Sequence, residues 1–129
     1  KTFFSAVVVT GGHLRSLRAV QDDMADIAAI DTVSWGLLGR HAPEMLSGLR
    51  ILAETPSGPG LPLITSLSTP DAALHALRIA LEDALADKDL TPATDALGIT
   101  GLEILDEDDY ARLARLGDEA ERLGYPILA

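Results

Sequence analysis

At 129 residues the chain has the size of one domain, and 47% hydrophobic content without any low-complexity tract makes it globular rather than disordered. Ten Lys and Arg against twenty Asp and Glu give a formal charge of −10, with the basic residues scattered, which argues against nucleic acid and anionic membrane surfaces as partners. Cysteine is absent, so disulfides and thiolate metal sites are excluded, and no stretch reaches the ~18 apolar residues of a membrane span.

Residues 3–31 read as strand, glycine-rich turn, helix and strand. An apolar run over residues 6–9 meets Thr10, Gly11, Gly12 and His13, an amphipathic segment follows, and a second apolar run over 27–30 ends on Asp31. That is the layout of a parallel βαβ unit. It places Thr10 to His13 and Asp31 on one sheet edge, where open α/β sheets hold ligands.

The residue types of the turn set its chemistry. Gly11 and Gly12 allow positive φ and close approach of backbone to a ligand. A helix starting near His13 aims unpaired N–H groups and its positive dipole end into the turn, which suits a small anion. His13 adds a ring N–H donor, and Asp31 adds an acceptor-only carboxylate while ionised. A carboxylate facing an anion repels it unless the ligand brings a proton or a cationic group, so the pair favours a protonated phosphate-like group. Two plainer roles stand beside this one. A glycine pair marks a sharp turn in many α/β domains, and Asp31 is a favoured N-cap for the next helix. Ser16, one turn past the glycines, can reach a ligand or cap the turn.

Along the first helix, Leu14, Leu17, Ala19, Val20 and Met24 form an inward stripe with Arg15, Arg18, Gln21 and Asp22 largely between them, while Asp22 and Asp23 oppose the dipole and face water. Residues 32–40 read as a short helix in which Trp35 is a core anchor or a ligand wall, and Pro43 starts a further helical turn to about Leu46. Residues 48–55 alternate like a half-exposed strand, PSGPG breaks the pattern, and residues 61–66 resume extended structure. Thr69 and Pro70 read as an N-cap followed by Pro at N1, opening a helix to about Asp87 with Leu74, Leu77, Ala80, Leu81, Ala84 and Leu85 as its apolar stripe. A short helix over 90–97 ends at GITG, residues 102–105 read as a final strand, and a last helix spans 107–123. The acidic run 106–109 matches that helix's dipole and lacks the ligand pattern of a calcium loop.

The runs TGGHLRSLRAV, ADIAAIDTVSWGLL and LRILAETPSGPGLPLITS, in that order and spacing, resemble the second lobe of PhnD-type phosphate, phosphite and phosphonate binding proteins, the solute receptors of ABC importers. The resemblance implies an α/β chain with a partial type II periplasmic binding protein fold, a parallel βαβ core plus C-terminal helices. Residues 1–60 would be a partial second lobe carrying the ligand turn, and residues 61–129 a crossover strand and helical part belonging to the first lobe. Residues 55–62 would then be hinge and cleft rim, although a plain loop between two strands predicts the same local structure. Receptors of this kind are longer, so the chain is expected to be truncated, to hold at most half of the ligand contacts, and to dimerise through the face left open.

The same resemblance implies the solute-binding component of an ABC importer for phosphate, phosphite or a small phosphonate, partnered with a permease. It implies a periplasmic protein or cell-surface lipoprotein, whose targeting segment is expected outside this sequence because KTFFSAVVV does not read as a signal peptide. His13 matches the histidine that such receptors direct at the oxyanion, and Gly11, Gly12 and Asp31 fall on the matching turn and strand end. The expected ligand set is therefore Thr10, Gly11, Gly12, His13 and Asp31, with Ser16, Trp35 and Leu61 as a candidate wall. Relatives that grip aminoalkyl phosphonates have acidic side chains where this chain has Val33 and Leu61, which argues against an ammonium-bearing ligand.

No catalytic residue, metal or cofactor is expected. The sequence contains no GxxxxGK[ST], GxGxxG or HExxH, and His13, His41 and His75 lack the spacing of a metal site on one helix face. Two alternatives remain. One is a ligand-sensing domain of a transcription regulator with the same fold, although no DNA-binding helix pair is present. The other is a small hydrolase using His13 with Ser16 or Thr10 and Asp31.

Overall fold

The computed structural model describes residues 4–60 and 62–125. Their regular elements are α1 (His13–Gln21), α2 (Thr32–His41), a 3₁₀ turn (Pro43–Leu46), α3 (Asp71–Ala86), a second 3₁₀ turn (Lys88–Leu90), α4 (Thr91–Leu97) and α5 (Glu107–Arg122). Among the described residues no β-strand forms. This overturns the α/β class and the parallel βαβ core expected from sequence: residues 6–9, 27–30, 48–55, 62–66 and 102–105 run without a ladder. A parallel strand needs a paired neighbour and cover on both faces. These apolar runs have neither, and Val9 is 83% and Ile64 86% exposed. Alternating hydrophobicity records which side chains avoid water but does not supply the neighbour that removes them from it. Leu61 of the candidate wall, and Phe3 where the first predicted strand began, lie outside the described residues.

The chain divides into two compact units. One comprises residues up to Pro56 together with those from Gly117 onward, and the other is Ser57–Leu116. In the first unit the core is narrow. Of the stripe predicted along α1, Leu17 is buried at 3% exposure and is the one buried hydrophobic among the described residues, whereas Leu14 and Met24 are exposed.

The end of α1 is fixed by backbone hydrogen bonds. The N–H of Asp23 donates to the carbonyl of Val20 at 3.3 Å and that of Met24 to Ala19 at 2.8 Å, the crossed pair of a Schellman motif. Asp23 occupies the left-handed position of this motif at φ 56°, where glycine is the usual residue. An aspartate there also sets a negative charge against the negative dipole end. Asp23→Gly is therefore expected to stabilise the first unit by about 1 kcal/mol, read as a higher urea midpoint at unchanged slope.

Gln21 closes the same end from the side. Its carboxamide Nε2 donates to the carbonyls of Met45 (3.1 Å) and Ser47 (3.0 Å), tying α1 to the first 3₁₀ turn and the residue after it. Pro43 opens that turn, as the sequence predicts, and α2 packs against it. Leu46 Cδ1 lies 3.9 Å from where a Cβ on Gly39 would stand.

In the second unit local signals set most boundaries. Asp106 Oδ1 accepts from the N–H groups of Asp108 (2.9 Å) and Asp109 (3.1 Å), and Asp109 Oδ2 accepts in return from the N–H of Asp106 (2.9 Å). This reciprocal cap accounts for the acidic run at the start of α5. α4 ends on Gly98 at φ 71°, with Ile99 N–H donating to Thr94 at 2.9 Å. The start of α3 differs from expectation by one residue. Pro70 is itself the N-cap at φ −60°, ψ 144°, and the Thr69 hydroxyl is paired with that of Thr65 at 2.9 Å instead of capping. No helix among the described residues is long and apolar enough to cross a membrane.

Candidate functional site

The first unit gathers the residues singled out at the turn, although no sheet places them there. Gly11 takes φ 79°, a backbone conformation that side-chain-bearing residues rarely adopt. Gly12, the N-cap of α1, is extended at φ 167°, so the positive φ expected of both glycines occurs at Gly11 alone. No side chain caps the first turn of α1, whose first helical bond runs from Ser16 N–H to Gly12 carbonyl at 3.0 Å. The start of the helix therefore presents its dipole to the turn without a protein carboxylate capping it.

Two hydroxyls brace this turn. Thr10 Oγ1 lies 3.2 Å from the Gly12 carbonyl and 2.6 Å from Ser16 Oγ. A carbonyl can only accept, so the Thr10 hydroxyl donates to Gly12 and receives the Ser16 hydrogen. Of the two roles open to Ser16, the structure thus shows the turn-bracing one, with both residues half-buried.

His13 Nε2 stands 2.8 Å from Asp31 Oδ2, with the two side chains 46% and 44% exposed. Asp31 also caps α2, its Oδ1 accepting from Ser34 N–H at 2.8 Å, so the capping and pairing roles coexist on one carboxylate. Since a carboxylate oxygen only accepts, the proton of this contact sits on Nε2. Nδ1 is then the ring nitrogen left for other partners. As a neutral ring it accepts a hydrogen there, and as a cation it donates one.

Hydrogen bonding from Ser34, first through its side chain and then its backbone N–H, holds the Asp31 carboxyl below its ordinary value, with the His13 charge adding to the effect and desolvation opposing it. A carboxyl whose folded value is lowered contributes stability that is complete above its unfolded value, near 3.9, and is lost as pH falls through the folded value. A carbon-detected NMR titration of Asp31 is expected to show its midpoint below that unfolded value, and Ser34→Ala is expected to raise it more than His13→Ala does.

Trp35 is half-buried in α2, its backbone N–H donating to the Asp31 backbone carbonyl at 3.0 Å, and Val33 is exposed one position into that helix. One residue escaped the sequence reading. The Arg15 guanidinium lies over Gly11, with Cζ and Nη2 each 3.6 Å and Nη1 3.7 Å from where a Cβ on Gly11 would stand. The signal available was the four-residue spacing, because a helical side chain leans back over the preceding turn. Elsewhere, Ser57 to Pro59 with Asp108, Arg112 and Arg115 line an open depression within the second unit, which holds none of the predicted site residues. Among the described residues no group of three or more His, Asp or Glu is placed to hold a metal.

A family model described as ABC transporter, phosphonate, periplasmic substrate-binding protein matches residues 1–110. No curated protein and no solved structure matches the chain.

Proposed function

The chain belongs to the periplasmic phosphonate substrate-binding proteins of ABC transporters, and from that premise we propose that it captures a phosphorus oxyanion at the turn formed by Thr10, Gly11, Gly12 and His13. Proteins of this family work outside the cytoplasmic membrane, hand a small ligand to a permease and ATPase, and are in general not enzymes. The hydrolase alternative has no support in the geometry, because the Thr10 and Ser16 hydroxyls are engaged with each other and His13 Nε2 faces Asp31.

The observation that carries the reading is the His13–Asp31 pair at 2.8 Å beside an uncapped helix start. Asp31 serves the ligand through His13: both its oxygens already accept, one from Ser34 and one from the imidazole. With Nε2–H committed to Asp31, a single proton is shared between Nδ1 and the ligand oxygen. Phosphate, phosphite and a small alkyl phosphonate can each carry or accept that proton. Val33 offers no carboxylate to an ammonium group, so an aminoalkyl chain on the ligand gains nothing from it.

Isothermal titration with methylphosphonate, phosphate and phosphite tests this. Saturable one-to-one binding with Kd about 1 mM or tighter is the expected result, with 2-aminoethylphosphonate no tighter than methylphosphonate. Repeating the titration in buffers of different ionisation enthalpy is expected to reveal proton uptake when the ligand is supplied as a dianion. Heats no larger than dilution for all three ligands would refute the site.

A further inference from the structure

We propose that Arg15 is a ligand-binding residue of this site, closing the glycine turn with a planar two-pronged donor that selects ligands presenting two free oxygens on one phosphorus. The inference rests on the reading of the turn as an oxyanion site. Three nearly equal distances, 3.6, 3.6 and 3.7 Å, from one point at Gly11 to Cζ, Nη2 and Nη1 mean that the guanidinium lies face-on against the turn. Its N–H groups lie in the plane of the group and so point along the turn rather than into it. None of them is used: among the described residues Arg15 makes neither a hydrogen bond nor an ion pair.

What sets Arg15 apart from the other arginines is its place, with the guanidinium against Gly11 beside the uncapped start of α1. Asp31, the carboxylate at the site, is engaged by His13 and Ser34 instead. The positive charge of Arg15 is therefore left uncompensated beside an uncapped helix start. The glycine at position 11 is required by the turn itself, whose φ of 79° disfavours a side chain, and the guanidinium packs against it at ordinary van der Waals distance. A planar fork of parallel N–H donors matches two oxygens of a tetrahedral oxyanion, which a lysine ammonium meets only as a point charge. The ligand class that satisfies it is a phosphonate, phosphite or phosphate with its oxygens unesterified, and a phosphonate diester is excluded.

Titration of methylphosphonate into the wild-type chain and into Arg15→Met and Arg15→Lys tests the assignment. Arg15→Met is expected to weaken binding roughly three- to tenfold, a charge-assisted bidentate contact discounted for solvent exposure. Arg15→Lys is expected to recover part of that loss, and the weakening of wild-type binding by added salt is expected to be shallower in Arg15→Met. Wild-type affinity retained by Arg15→Met would overturn the role of Arg15 while leaving the turn intact as a site. Absence of binding by the wild-type chain would overturn the site itself and this inference with it.

Discussion

Leu17→Ala is expected to destabilise the first unit by about 2–4 kcal/mol, a larger effect than any other single apolar truncation in α1. Leu17 is the one hydrophobic side chain fully withdrawn from water among the described residues, so its removal leaves a void where no second buried chain can fill in. Leu14 and Met24 share its helical stripe but stay exposed, and truncating either is expected to change stability by no more than about 0.5 kcal/mol. Urea unfolding followed through Trp35, which lies in the same unit, measures all three. Equal losses for Leu17→Ala and Leu14→Ala would show that the stripe is buried along its whole length.

His13→Ala is expected to weaken methylphosphonate binding by about 10- to 100-fold, the value of a charged hydrogen bond made in the complex. Stability is expected to change little, because the ring is half exposed and Asp31 keeps its bond to Ser34. That contrast separates a ligand contact from a packing residue, which would alter the urea midpoint and spare affinity. Asp31→Asn sharpens the test. Asparagine still caps α2, so the helix is retained, but the imidazole loses the carboxylate that fixes its Nε2 proton. A smaller loss than in His13→Ala is expected, together with weaker dependence of affinity on pH.

The helices were legible where their ends are written in side-chain chemistry. Pro43, Gly98 and the Asp106–Asp109 cap each act within a turn of chain, and the structure places boundaries at all three. Thr69 failed as a cap because a competing local partner took its hydroxyl: it pairs with Thr65 four residues back, and Pro70 took the boundary. The strands were not legible in the same sense. The valines at 7–9 and the apolar residues at 27–30 have the composition of strands, but pairing depends on distant neighbours that a run of side chains does not specify.

At the site, the approach of His13 to Asp31 follows from a turn, a nine-residue helix and a return segment, and it survives without the sheet that was expected to enforce it. By sequence Arg15 falls with Arg18, Gln21 and Asp22 between the apolar positions of the α1 stripe, which assigns it no role at the turn. Its actual position follows from the backward lean of helical side chains, which sets the guanidinium against Gly11.

The two hydrogen bonds from Gln21 carry a consequence for samples kept long in solution. Deamidation of that one carboxamide would replace a double donor with a carboxylate facing the carbonyl oxygens of Met45 and Ser47. Attraction would turn to repulsion at both contacts, and the 3₁₀ turn would come loose from α1. Ageing of the protein would then show first as a more acidic isoform with a loosened 43–47 segment, while the glycine turn at the other end of the helix stayed unchanged.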